Sequence, residues 1–334
     1  MKNTIRIFLI LFLLQACQTT HRITDFNQQW ELLQMEGQQL PIHRLAASPK
    51  AIWAADYGSG TLYQSKNKGK TWHKMLTLGS EYLEVLQFVD DKYGFTCGDY
   101  GFVYRTTDAG LSWQEISPSI DGRITDRYRN HPEKDQKPEG LFVAYYNMHF
   151  LDENEGFVSG FSYQPKEGFR ASYEPLVFHT IDAGKNWNLI SKEKTEDFLA
   201  AYVLRAQPQN EVINGLFYRD KTESVQLAKD RSRQDIVIRK QRASMAADTS
   251  YLPPHPFKRG MLRHILFLNK NEGYILGGSL DEGNQKAIVY KTVDAGRNWL
   301  YIPTEMPHIH GAVIYGNYLW ISGKENMLKR RKLR

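Results

Sequence analysis

Three octapeptides hold the acidic side chains whose regular spacing invites a chemical reading: TTDAGLSW at 106–113, TIDAGKNW at 180–187 and TVDAGRNW at 292–299. Each places a Thr (Thr106, Thr180, Thr292) two residues before an Asp (Asp108, Asp182, Asp294), a Gly (Gly110, Gly184, Gly296) two after it and a Trp (Trp113, Trp187, Trp299) five after it. A fourth copy, SKNKGKTW at 65–72, keeps Ser65, Gly69 and Trp72 but has Asn67 in the acidic place. A recurring carboxylate could ligate calcium, yet that ion takes about six to eight oxygens and each octad offers a single acid. A short carboxylate in a tight turn instead accepts hydrogen bonds from nearby backbone amides. The glycine supplies the positive φ such a turn needs, and the tryptophan brings apolar surface that can wedge between neighbouring units. The octad reads as a structural fastener, with no metal.

Other residues with chemical potential are less ordered. Asp56 and Asp99 occur in two DYG stretches; glycosidic acid–base work needs two carboxylates opposed across a cleft, and a repeated turn explains this pair better. His43, His149, His264, His308 and His310 lie near predicted inner strands. When the units are aligned on Phe88, Phe150 and Phe267, His149 stands one residue before its phenylalanine and His264 three before, so the two are not equivalent. The histidines do not recur at one position of the unit, so a convergent ligand set is not expected. No glycine-rich nucleotide loop, zinc motif or Ser/His/Asp signature stands out. The sequence offers no catalytic residue and implies no cofactor.

The octads sit within a longer plan. VLQFVDDKYGFTCGDYGFVYRTTDAGLSW (85–113) lies over NMHFLDENEGFVSG…VFHTIDAGKNW (147–187) and HILFLNKNEGYILGG…IVYKTVDAGRNW (264–299). Each unit holds three apolar strands separated by turns, then the octad and a fourth strand starting near its Trp. Four short strands in about 40 residues predict an all-β propeller blade. AKDRSRQD at 228–235 looks like a decayed octad, with Asp230 five residues before Asp235. DFNQQWELL places Asp25 five before Trp30, and the C-terminal unit ends short of its outer strand. The expectation is therefore one domain over 25–334, a β-propeller closed by the N-terminal strand completing the C-terminal blade. Outer strands near 30, 72, 113, 187, 235 and 299 predict six blades, or seven if 188–260 hides another.

The octad pattern resembles the Asp-box, or bacterial neuraminidase repeat. The longer unit is most similar to the photosystem II stability/assembly-factor-like propellers. That resemblance implies a propeller fold and an assembly or scaffolding role. Asp-boxes also occur in sialidases, xyloglucanases and sortilin-type receptors, where they lie away from the active or binding site. The Arg-Ile-Pro signature of the sialidase first blade is absent; the corresponding stretch is PIHRLAASP. A glycan-binding or glycosidase-like propeller is the alternative reading.

The 334 residues are 24% charged and 13% aromatic with a formal charge of +6, the balance of a folded chain rather than a disordered one. The basic residues Lys329, Arg330, Arg331, Lys332 and Arg334 cluster at the C-terminus, too local a patch to predict nucleic-acid binding. At the other end, IFLILFLL (7–14) is too short for a permanent span. It runs into LQAC, which resembles a bacterial lipobox with Leu14 at −3, Ala16 at −1 and Cys17 as the lipidated residue. The resemblance implies a signal peptide over 1–16, a lipidated linker over 17–24 and, with Gln18 next, the outer membrane. Cys97 is the other cysteine, so no disulfide framework is available; in GFTCG it reads as a small buried hydrophobe.

Long connections mark the binding face. Residues 117–141 and 239–261 read as crossings between blades, and 161–175 and 278–286 as links from second to third strands. All four belong to the face opposite the octads. Long loops on a rigid scaffold are where binding sites are built. Tyr163, Phe169, Arg170, Tyr173, Tyr251, His255 and Phe257 are the candidate contacts, of types enriched at interface centres. The sequence thus predicts a monomeric, non-enzymatic, lipid-anchored envelope propeller that binds another protein.

Overall fold

The computed structural model describes residues 24–27, 29–35, 40–78, 83–98, 101–119, 142–165, 171–189, 216–220, 223–229, 236–242 and 248–333. Cys17, the signal segment and most of the linker lie outside them. A 3-10 turn, Thr24–Asn27, precedes β1 (Glu31–Leu32). The chain then builds five blades of four consecutive antiparallel strands. The first is β2 (Ile42–Ala47), β3 (Ile52–Asp56), β4 (Thr61–Ser65) and β5 (His73–Thr77); the second is β6 (Leu83–Phe88), β7 (Gly94–Gly98), β8 (Val103–Thr106) and β9 (Gln114–Glu115). The third is β10 (Phe142–Phe150), β11 (Gly156–Pro165), β12 (Ala171–Thr180) and β13 (Asn188–Leu189). The fourth is β14 (Leu216–Asp220), β15 (Glu223–Lys229), β16 (Ile236–Arg242) and β17 (Asp248–Tyr251), and the fifth is β18 (Gly260–Phe267), β19 (Gly273–Ser279), β20 (Ala287–Thr292) and β21 (Leu300–Tyr301).

A composite sheet joins the two ends. β22 (Ile309–Tyr315), β23 (Tyr318–Gly323) and β24 (Met327–Lys332) are followed in space by β1, with Glu31 opposite Arg330 and Leu32 opposite Lys329. The first strands meet around the axis: β22 touches both β18 and β2, and β2 touches β6. Phe26 is fully buried between Tyr274 and the Arg331 guanidinium, and fastens the entering chain to the seam.

The expected blade count needs correction. Five blades are contiguous in sequence, not six or seven, and the remaining sheet is assembled from both termini. The described part of 188–260 holds one four-stranded blade, which removes the seven-blade alternative. The stretch 228–235 is not an octad before an outer strand. It separates β15 from β16, and the outer strand is β17 at 248–251. Asp230 and Asp235 share only the five-residue spacing, without the Thr, Gly and Trp that make an octad fold.

Burial follows position in the blade. β3, β4, β7 and β19 are buried along their whole length because sheets cover both faces. Trp53 of β3 stacks on Phe88 of the next blade, and Phe95 of β7 stacks on Phe150. Cys97 is fully buried in that second interface, as expected.

Candidate functional site

On the octad face the Thr hydroxyl and the Asp carboxylate of each repeat are committed to the turn. Thr106 Oγ1 donates to Asp108 Oδ1 at 2.8 Å and accepts from the Gly110 amide at 2.8 Å. Asp108 accepts from the Ser112 amide at 2.9 Å and the Ser112 hydroxyl at 2.6 Å. Thr180–Asp182–Asn186 and Thr292–Asp294–Asn298 repeat this pattern. Ser65 and Asn67 reproduce it with an amide, Asn67 Oδ1 accepting from Ser65 Oγ and the Thr71 amide. These bonds hold the Asp108 and Asp182 carboxyls below the usual carboxylate range, chiefly through Ser112 and Asn186. Such carboxylates are poor proton donors at neutral pH.

One feature escaped sequence reading. The residue before each octad glycine also takes positive φ: Lys68, Ala109, Ala183 and Ala295 lie at 58–65°. Three of these turns are fastened to the preceding β-turn by a backbone bond, from Ala109 to Lys92, Ala183 to Asn154 and Ala295 to Asn271. First-to-second and third-to-fourth connections therefore share one face. The tryptophans do more than wedge between blades. Trp113, Trp187 and Trp299 lie edge-on to their own blade's Phe88, Phe150 and Phe267. Trp187 also donates to the Ile116 carbonyl across a blade boundary, and Trp72 meets Trp320 of the composite sheet.

At the axis the inner strands carry β-bulges, which leave one residue unpaired and re-aim it. The bulged positions, where the register shifts, are His43 in β2, Glu84 in β6, Tyr146 in β10, Arg263 in β18 and His310 in β22. Four of them meet. Glu84 bonds to Arg44, and Arg263 Nη1 lies 3.4 Å from the same carboxylate. Because two sheets separate β6 from β18 around the ring, the Arg263–Glu84 contact crosses the central channel. His43, His310 and His308 form a column with successive ring centroids 4.9 Å apart. His264 Nε2 sits 2.9 Å from the His310 carbonyl.

The axis is electropositive. Burial, reinforced by Arg44 and Arg263, pushes His264 down to about 3 and drives His43 far below the ordinary range. Burial likewise lowers His308 to about 4, and burial with the neighbouring His308 charge lowers His310 to about 2. All four imidazoles are neutral at pH 7. Among the described residues, His43 Nδ1, His308 Nε2 and His310 Nδ1 have no hydrogen-bond partner. The structure gathers more histidines than the sequence alignment predicted, while His149 is half-buried on β10. Among the described residues no group of three or more His, Cys, Asp or Glu could hold a metal ion.

The opposite face carries the expansions that lie among the described residues, two of them in a different form from that expected. Residues 161–175 are mostly strand, because β11 and β12 pair continuously from Gly156↔Thr180 to Pro165↔Ala171. Continuing the ladder satisfies backbone donors and acceptors that a loop would leave to water. β11 has ten residues against five in β7, an extension of about 16 Å at about 3.3 Å per residue. Tyr163 and Tyr173 are register partners; Phe169 and Arg170 lie outside the described residues. The stretch 239–261 is not one crossing. It contains the end of β16 and all of β17, leaving a crossing over 252–259. Asp281 from the β19–β20 link clamps that crossing, accepting from the Lys258 and Arg259 amides at 2.9 Å each. Tyr251 is exposed, whereas His255 and Phe257 are half-buried and Phe257 packs on the Leu262–Tyr290 core. Residues 120–141 lie outside the described part.

This geometry belongs to a propeller. A gluconolactonase from Xanthomonas campestris is similar over 89% of this chain and 87% of its own, at 13% identity and a TM-score of 0.55. The WD40 propeller domain of Doa1 is similar over 91% and 97%, at 10% identity and 0.52. YCF48 bound to a D1 peptide is similar over 92% and 98%, at 14% identity and 0.47. No family model and no curated relative matches the chain. The propeller class is thus shared with enzymes and non-enzymes.

The Asp56 carboxylate is occupied by its own turn. It accepts from the Ser59 hydroxyl at 2.8 Å and the Ser59 and Thr61 amides at 3.3 and 3.2 Å, and it is 3% exposed. Asp99 lies outside the described residues.

Proposed function

We propose that the chain is a non-enzymatic, lipid-anchored envelope propeller that binds a protein partner through the face opposite the octads, as an assembly or scaffolding factor. The observation that carries this reading is the β10–β12 extension of the third blade, on the same face as the Asp281-clamped crossing. A lengthened ladder presents a rigid edge with little loop entropy to lose on association. The octad carboxylates and Asp56 are spent on turns, so neither supplies an acid–base pair. The resemblance of the longer repeat unit to assembly-factor-like propellers supports the assembly role, and the lipobox resemblance at Cys17 supports attachment to the outer membrane.

The test is chemical cross-linking in intact envelopes, comparing the wild type with a chain in which 163–173 is replaced by a two-residue turn. The reading expects loss of the partner adduct with the tethered protein still present. An unchanged adduct pattern, or glycan turnover by the purified chain, overturns it.

A further inference from the structure

The first octad differs from the others in charge. SKNKGKTW carries Lys66, Lys68 and Lys70 and no acid. The second octad has Asp108 alone, and the third and fourth balance an Asp with Lys185 or Arg297. Lys68 holds the left-handed position that is alanine in the other three, at φ 58°. All three lysines are exposed, and no ion pair reaches them among the described residues.

The neighbouring surface continues the patch. Arg330 donates to the Lys68 carbonyl, which brings the first octad against the composite sheet. Exposed Lys332 ends β24 opposite Tyr318, one residue beyond Asn317 of the β22–β23 turn that Lys68 overlies at Gly316. Lys74 is exposed on β5. The nearby acid, Glu31, is already engaged by Arg330. Beside them Leu32 is 61% exposed at the rim of the ring.

This seam is also where the chain enters the disc. Phe26 is buried between the composite sheet and the fifth blade, β1 completes that sheet, and six residues lie between Cys17 and Thr24. That linker spans at most about 25 Å. Resting on the lipid attachment proposed above, we infer that the Lys66–Lys68–Lys70 turn with Lys74 and Lys332 is a docking surface for anionic phospholipid headgroups. Lipid attachment holds the protein at the bilayer; the lysine turn sets which side faces it. The octad side is drawn to the headgroups and the β10–β12 extension on the opposite side is left free for a partner.

The test uses the full chain with Cys17→Ser, so that failure of lipidation cannot affect the result. Its sedimentation with phosphatidylcholine vesicles is compared with vesicles containing phosphatidylglycerol, at low and high salt. The expected result is salt-sensitive preference for phosphatidylglycerol. Lys66→Thr/Lys68→Ala/Lys70→Gln, in which the Thr and the Ala are residues found at the same places in other octads, should weaken that binding on the order of a hundredfold, at about fivefold per lysine. An unchanged melting temperature shows that the triple variant is folded; if it is not, Lys74→Gln/Lys332→Gln on regular strands makes the same comparison. Lys258→Gln/Arg259→Gln on the opposite face should change nothing. Equal binding to both vesicle types, equal losses in patch and control variants, or displacement by soluble glycerophosphate as effective as by vesicles would each overturn the proposal.

Discussion

A single hydroxyl and a single glycine explain why the octad recurs. The Thr hydroxyl both donates to the acid and accepts from the glycine amide, and the missing glycine Cβ leaves room for a neighbouring side chain. At Gly110 a Cβ would lie 2.4 Å from Trp53 Cη2 of the preceding blade; at Gly69 it would lie 2.6 Å from Trp320. Gly110→Ala therefore combines left-handed strain with overpacking and should cost about 3 kcal/mol in denaturant unfolding. Gly283→Ala is the matched control. Its φ is 72° but nothing lies within 4 Å of the added methyl, so it should cost about 1 kcal/mol. Equal costs would show that interblade contact does not explain the octad glycine. The sequence revealed the Thr, Asp, Gly and Trp spacing because each does a separate job at a fixed distance along the chain. It hid the left-handed alanine, which has no chemical signature apart from small size.

Elements place these residues where they meet, and here the sequence was a weaker guide. The three long units were readable because their turn, strand and octad signals agree. The fourth blade lost the octad, so the Asp230–Asp235 spacing put its outer strand at the wrong place. The extension over 161–175 was read as a loop because its aromatic, proline and charged residues lack clean alternation; pairing with a facing strand decided the outcome. The axial bulges are less legible still, since inserting one residue in an apolar strand leaves no mark until the partner strand is known. Their consequence can be measured. Glu84 balances Arg44 and Arg263 at once, so Glu84→Gln should destabilise the protein by about 3 kcal/mol. Arg263→Gln should cost less, because Arg44 still pairs with Glu84. Chemical denaturation that ranks the two in the reverse order would show that Glu84 serves mainly β2.

On the scale of the whole molecule, the axial histidines make closure of the ring sensitive to acid. His43, His264, His308 and His310 come from the fifth blade, the composite sheet and the first blade, so they titrate where the two ends of the fold are joined. Their folded pKa values are depressed, as is that of His149, which desolvation pushes down to about 4. In the unfolded chain each titrates near 6.5. Between those values the unfolded chain binds more protons, so stability must rise with pH and fall as the solution is acidified. The contribution is fully present above about pH 6.5 and declines toward pH 4, by roughly 1.4 kcal/mol per pH unit for each histidine still neutral in the fold. Urea unfolding between pH 7 and 4.5 should show this loss. His308→Gln should lessen it if the packing survives, as should Arg263→Met through the weaker positive field at the axis. Truncation before Leu33 removes Phe26 and β1 without touching these histidines. It should lower stability at every pH and leave the slope below pH 6.5 in place, because the neutral imidazoles remain buried as long as the first strands still meet. A slope lost with the N-terminal strand would instead mean that the seam, rather than burial at the axis, keeps these rings from protonating.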